Sequence, residues 1–457
     1  MTASPAAVPA APALPASAWR LIVLEFWERF SYYGILAILV LFLTGPMEHG
    51  GFGWSDSRAL DLLSIFAAIA FILPMVGGYV ADQWLGTRRA VLIGSCLLVA
   101  GNVAIAAAAI LHASPGTPSG AAPGTNNVAT TPTMMLYAGL AAVALGNGFF
   151  KSSLVTLLGS LIEGDDAARD RAFRYYYQAI MLGALAASLV VGALAENIGW
   201  WSGFALAAAG MAISFAIFAI WPPSPSRPAP VHCVDAGSDG ESLTHATMDV
   251  AILCAFLVVI TVGWVQFQGL WLLEMEHAVD RTIGTLTVPP SWLLSVNAIV
   301  VVLFTPASGR LWRRLTGNGE PAAGFTAPGF TAQFAAAFAL MGSAHLLMAL
   351  GFREPASGNV SLLWPVGCVL MITVGELIFW PSSYNAIHRL APARSKSLMM
   401  GIWLATLGLG QYITHQVGRT AETLGFSTLS GYIGMAMLAA CVAVMMIARL
   451  RPTLRAL

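Results

Sequence analysis

The chain has 457 residues, of which 57% are apolar and only 10% charged, with 22 basic residues set against 22 acidic ones. A soluble domain carries about a quarter charged residues, so a water-soluble globule is excluded. With a mean hydropathy of +0.74 the chain reads instead as an all-α polytopic membrane protein embedded in a lipid bilayer. Zero net charge gives no reason to expect nucleic acid as a partner.

Residues 1–17 are rich in Ala and Pro and carry no charge, which predicts a disordered cytoplasmic tail. Apolar runs of roughly 20 residues then recur about twelve times between short polar loops. The first, about 18–44, stops at Gly45-Pro46. It contains Glu25, Glu28 and Arg29, three charges on one helical face at depths where a lipid-facing helix should carry none. Each such charge costs at least ~2.5 kcal/mol to insert, so the three are expected to pair inside the protein, lining a pathway. Tyr32, Tyr33 and Leu36 follow one or two turns further on, toward the same side.

A second helix, about 57–81, leads into Gly77-Gly78-Tyr79-Val80-Ala81-Asp82-Gln83-Trp84-Leu85-Gly86-Thr87-Arg88-Arg89, whose glycines permit close helix approach and whose arginines hold the loop inside. A third, about 88–112, ends in a Pro/Gly/Ser/Thr-rich loop without Lys or Arg, expected outside. The fourth, about 133–160, contains Gly146-Asn147-Gly148-Phe149-Phe150-Lys151. Lys151 is the only lysine inside an apolar run, and it is expected to be the cationic partner of Glu25 or Glu28. The fifth and sixth run over about 172–195 and 200–221, and a polar, Pro-rich linker at 222–246 separates two halves, 18–221 and 247–450.

In the second half, helix 7 (about 248–275) carries Trp264, Gln266 and Gln268, and helix 8 (about 289–311) carries Asn297. Helices 9 and 10 follow at about 330–351 and 361–388, and Glu376 sits in mid-span of the tenth with no intramembrane basic residue in its half. A lone carboxylate there is either protonated at rest or meets a cation from elsewhere, and a substrate amine would be such a cation. His388 and His415, near helix ends, read as structural or interfacial. Helix 12 covers about 428–449, with a short tail at 451–457. Pro74-x-x-Gly77 before Arg88-Arg89 is echoed by Pro306-x-x-Gly309 before Arg313-Arg314, the trace of an internal repeat. The five cysteines are odd in number and lack CxxC spacing, so neither a disulfide framework nor a metal site is expected, and the adjacent His232 and Cys233 are a chance pairing. Basic residues concentrate on one side of the predicted spans, which places both termini in the cytoplasm.

Glu25-x-x-Glu28-Arg29-Phe30-Ser31-Tyr32-Tyr33-Gly34 resembles the first-helix signature of the proton-dependent oligopeptide transporters (POT/PTR), a branch of the major facilitator superfamily. The loop from Gly77 and Gly78 through Asp82, Gly86, Arg88 and Arg89 resembles that superfamily's conformational loop motif, and Gly146-x-Gly148-x-x-Lys151 matches a motif on the same helix of the transporters. The resemblance implies twelve transmembrane helices in a 6+6 fold, no enzymatic activity and no cofactor beyond the proton gradient. It implies a proton-coupled symporter of di- or tripeptides or peptide-like amines working by alternating access, with a proton-driven exporter of drugs or metabolites as the alternative. A monomer in a bacterial inner membrane is the expected working unit. Glu25, Glu28, Arg29 and Lys151 correspond to the coupling residues. Tyr32, Tyr33, Leu36, Phe71, Met181, Trp264, Gln268, Asn297, Glu376 and Trp403 fall at pocket positions. Three depart from the family pattern: Leu36 stands where the motif continues to an arginine, Phe71 where a tyrosine is found, and Met181 where an asparagine is found. Each change removes a polar partner for a peptide, which points to ligands that do not need a free C-terminal carboxylate.

Overall fold

The structure, a computed structural model, describes residues 14–113, 131–162, 166–223, 240–316, 330–353, 360–390 and 396–451. Most of the N-terminal tail, the loop at 114–130, the His232–Cys233 pair and residues 452–457 lie outside the described residues, as do the side chains of Asp82, Pro306, Gly309, Arg313, Arg314 and His388.

Twelve long helices run through the described residues, joined by short turns, two short helices and two small two-stranded pairings: α1 (Ala16–Thr44), α2 (Asp56–Val80), α3 (Thr87–Ala113), α4 (Thr131–Ser160), α5 (Asp166–Asn197), α6 (Trp200–Ile220), α7 (Gly240–Val265), α8 (Trp292–Thr316), α9 (Phe330–Gly351), α10 (Leu363–Leu390), α11 (Lys396–Arg419) and α12 (Phe426–Leu450). Ten are long and apolar enough to cross a bilayer, and α8 contributes a shorter apolar run, Trp292–Phe304. Helix ends follow local chemistry. Pro46 stops α1 because it has no N–H to continue the ladder. The Ser55 hydroxyl caps α2 by accepting from the Arg58 amide.

Helix 7 differs from its expected single span. It begins earlier, at Gly240, inside the expected linker, and breaks at a 3-10 turn, Gln266–Gln268, before a short helix, Leu270–Ala278. The break has a packing cause. Gly269 lies against the His415 imidazole, and the Gln266 amide donates to the Thr414 carbonyl at 3.1 Å, so α11 crosses where a continuous helix would run.

The packing repeats with a shift of six helices. In the first half α1 packs on α5 and α6, α3 on α4 and α6, and α2 on α4; in the second α7 packs on α11 and α12, α9 on α10 and α12, and α8 on α10. Between the halves, α2 meets α11 and α5 meets α8, again equivalent pairs under the same shift. The architecture of the described residues is thus an internal repeat of six helices.

The halves are fastened at the end carrying the α1–α2, α5–α6 and α11–α12 connections. There Arg419 pairs with Asp61 at 2.8 Å, and Gln416 donates to Asp61 and to the Ser64 hydroxyl at 2.9 and 3.0 Å. Glu422 accepts from the Ser57 amide, and Arg281 pairs with Glu196. The hydroxyls of Ser188 and Ser295 meet at 2.7 Å, and the Trp292 indole donates to the Leu189 carbonyl.

Candidate transport site

The charges of α1 are fully internal. Glu25 and Glu28 have no exposed surface and Arg29 has 3%. The Arg29 Nε atom lies 3.2 Å from Glu25 Oε1 and donates to Glu28 Oε2. Its Nη2 reaches the Asn147 amide oxygen on α4 at 3.5 Å, and its guanidinium stands 5.2 Å from the Tyr32 ring centroid. The Tyr176 hydroxyl of α5 faces Glu25. One arginine therefore bridges two carboxylates, as the i, i+3, i+4 spacing predicts.

Lys151 is placed differently from expectation. Among the described residues no carboxylate lies within ion-pair distance of it; its ammonium stands over the Phe71 ring, 5.2 Å from the centroid. The cause is the crossing of α2 and α4. Gly77 rests directly on the Gly148–Phe149 backbone and Gly78 on Ser152, an approach any side chain would block. That contact brings Phe71, less than two turns before Gly77, against Lys151, one turn after Gly148. Lys151 thus lies near the Glu25–Arg29–Glu28 cluster without an ion-pair contact to it among the described residues. In the loop motif, Gly86 has φ +73°, a conformation that L side chains rarely adopt, and Arg88 and Arg89 are exposed on the first turn of α3.

Between the halves lies a cavity of about 420 Å³, counted with its open mouth. Tyr32, Tyr33, Leu36, Leu63, Ala67 and Phe71 line it from the first half, and Trp264, Gln268, Gln411 and His415 from the second. Six of the ten expected pocket residues are therefore on its wall. Asn297 and Glu376 sit behind it: the Asn297 amide donates to Glu376 Oε2 at 2.6 Å and to the Thr373 hydroxyl at 3.0 Å, and Glu376 faces the Trp264 indole. Trp403 is fully buried, its ring stacked 6.5 Å from Phe379, and Met181 is partly buried on α5; neither lines the cavity. Leu63, Ala67, Gln411 and His415 were not expected on the wall. The available signal was the i, i+4 spacing of Gln411 and His415, which puts both on one face of α11.

Two six-helix halves around a central cavity, with paired charges at membrane depth, define an integral membrane carrier. The chain belongs to the POT family, whose model matches residues 88–221 and 241–429. This is a family of transporters and not of enzymes. The chain is 27% identical to a di-/tripeptide transporter of Lactococcus lactis subsp. cremoris, over 90% of its length and 91% of that protein's. It is 26% identical to a peptide transporter of Yersinia enterocolitica, over 87% and 86% of the two chains. A crystal structure of a peptide transporter POT in complex with sulfate superposes with a TM-score of 0.78 at 23% identity, covering 96% of both chains. A POT family transporter in complex with 5-aminolevulinic acid superposes with a TM-score of 0.78 at 19% identity, covering 95% of this chain and 96% of that one.

Proposed function

We propose that this protein is a proton-coupled symporter that carries di- or tripeptides, or peptide-like amines, into a bacterial cell across the inner membrane. The observation that carries this reading is the Glu25–Arg29–Glu28 cluster, buried on α1 directly beneath the Tyr32, Tyr33 and Leu36 wall of the cavity. A proton arriving at either carboxylate weakens its hold on Arg29. At an effective dielectric near 20, such a change is of the order of a few kcal/mol for a close pair. That suffices to tilt a two-state equilibrium about a hundredfold. Because α1 carries both the cluster and the cavity wall, protonation and ligand binding bias the same helix.

The helix ends fastened together here are those that the basic-residue distribution assigns to the outside, with both termini inside. The described state is therefore read as closed to the exterior, and alternating access requires the Asp61–Arg419 and Ser188–Ser295 contacts to part. Two carboxylates around one arginine let one hold Arg29 while the other takes the proton. The protein needs no cofactor beyond the gradient and works as a monomer. The named relatives are peptide transporters, which favours a peptide or peptide-like substrate over the drug- or metabolite-exporter reading.

The test is uptake into proteoliposomes under an imposed inward proton gradient, with dialanine, its C-terminal amide and a small amine panel as substrates. Gradient-driven accumulation of any of them supports the reading. Uptake that ignores the gradient contradicts it.

A further inference from the structure

The cavity wall holds three polar side chains, Gln268, Gln411 and His415. Gln411 and His415 are 4% and 2% exposed, and Gln268 is partly buried. None of the three side chains makes a hydrogen bond within the described residues, although all three line the cavity. Their polar atoms are open to the cavity and not committed to partners among the described residues, so a ligand there can meet all three.

The rest of the wall says what that ligand is. The ten described wall residues include no arginine, lysine, aspartate or glutamate. Lys151 does not line the cavity; Phe71, on which its ammonium rests, does. A carboxylate brought against Leu36, Gln411 and His415 would be desolvated without a cation in contact. A carboxamide brings both a donor and an acceptor. Glutamine does the same, so the two exchange bonds in both directions. Glu376 does not line the cavity either; held by Asn297 and facing the Trp264 indole that does, it is the carboxylate toward which an amine at the other end of the ligand would orient through that wall.

We propose that Gln268, Gln411 and His415 form an uncharged polar subsite for a carboxamide, so that the favoured substrates are amine-bearing, peptide-like molecules lacking a free C-terminal carboxylate. The inference rests on the reading of this cavity as the transport site, and names its ligand class.

The test is calorimetric binding of dialanine amide and dialanine to the full-length protein in lipid nanodiscs, for the wild type, Gln411→Leu and Leu36→Arg. The wild type should bind the amide at least about tenfold more tightly than the acid, the size of effect one uncompensated buried polar group produces. Gln411→Leu should lose most of that advantage, and Leu36→Arg should reverse it in favour of the acid. Equal or tighter binding of the acid by the wild type overturns the inference while leaving transport standing. An amide preference untouched by Gln411→Leu overturns the assignment of the subsite. If neither compound binds and neither is taken up under a gradient, the transport reading falls with it. Should Gln411→Leu fail to fold, the acid-to-amide ratio of the wild type and of Leu36→Arg decides alone.

Discussion

The Lys151 ammonium stands 5.2 Å from the centroid of the Phe71 ring, and Phe71 in turn walls the cavity. One side chain therefore touches both the ligand space and the cation nearest the α1 charge cluster. A desolvated cation over a benzene ring gains about 2 kcal/mol, which adds to the α2–α4 crossing in keeping the lysine over the ring. Phe71→Leu removes the ring and releases the ammonium toward Glu25 and Glu28. A nearer cation favours ionised carboxylates, so more protons are needed to discharge them. The pH profile of gradient-driven uptake should move to lower pH, by up to about one unit. An unchanged profile would leave the ring without a part in coupling.

Arg29 is the only cation in contact with either carboxylate of the cluster among the described residues. Arg29→Met leaves two buried carboxylates without it and should cost about 3–5 kcal/mol, the usual result of breaking a buried pair from one side. Glu25→Gln keeps the Glu28–Arg29 contact and should cost clearly less. Thermal unfolding of both variants in the same detergent gives the order directly. A more stable Arg29→Met than Glu25→Gln would contradict the geometry.

Gly183 on α5 faces the α1 backbone at the cluster. A methyl group there would lie 2.6 Å from the Phe26 carbonyl oxygen and 3.0 Å from the Arg29 Cβ. Gly183→Ala should therefore push α5 away and destabilise the protein by about 1–3 kcal/mol, as overpacking does. Gly367 on α10 has open space at the same position, so Gly367→Ala should stay within about 0.5 kcal/mol of wild type. Comparable melting temperatures for the two variants would argue against this α1–α5 contact.

The Ser188 and Ser295 hydroxyls meet at 2.7 Å across the α5–α8 seam. In a background lacking the native cysteines, Ser188→Cys with Ser295→Cys should form a disulfide on oxidation. If the seam opens in each cycle, the cross-linked carrier should lose nearly all uptake and regain it on reduction. Full transport with the bond formed would mean that the halves do not part there.

The sequence announces the α1 cluster because charges in the middle of an apolar run have no cheap place to go. The helices were legible nearly to their ends for the same reason, since apolar runs between polar loops are set by bilayer thickness. The partner of Lys151 was not legible. Whether a lysine meets a carboxylate or a ring depends on how far α2 slides past α4, and that is set by the Gly77–Gly148 contact, a feature of two helices together. The break in α7 escaped for a similar reason: Gln266 to Gly269 reads as helix until α11 crosses it with Thr414 and His415. Gln411 and His415 look like ordinary polar residues of a helix end, and only the cavity reveals that they face it. Conversely, Met181 and Trp403 sit at pocket positions by motif, yet lie off the wall in the described state.

The central claim is that ligand and proton move together, in the same direction, through the α1 cluster. The most direct measurement is the pH inside proteoliposomes, read by a trapped pH dye, when a transported dipeptide or dipeptide amide is added outside with no proton gradient imposed. The account predicts acidification of the lumen as the substrate runs down its own gradient, abolished by Glu28→Gln. Alkalinisation of the lumen would make the protein an antiporter, and substrate entry with no pH change would mean that the buried charges do not couple to protons at all.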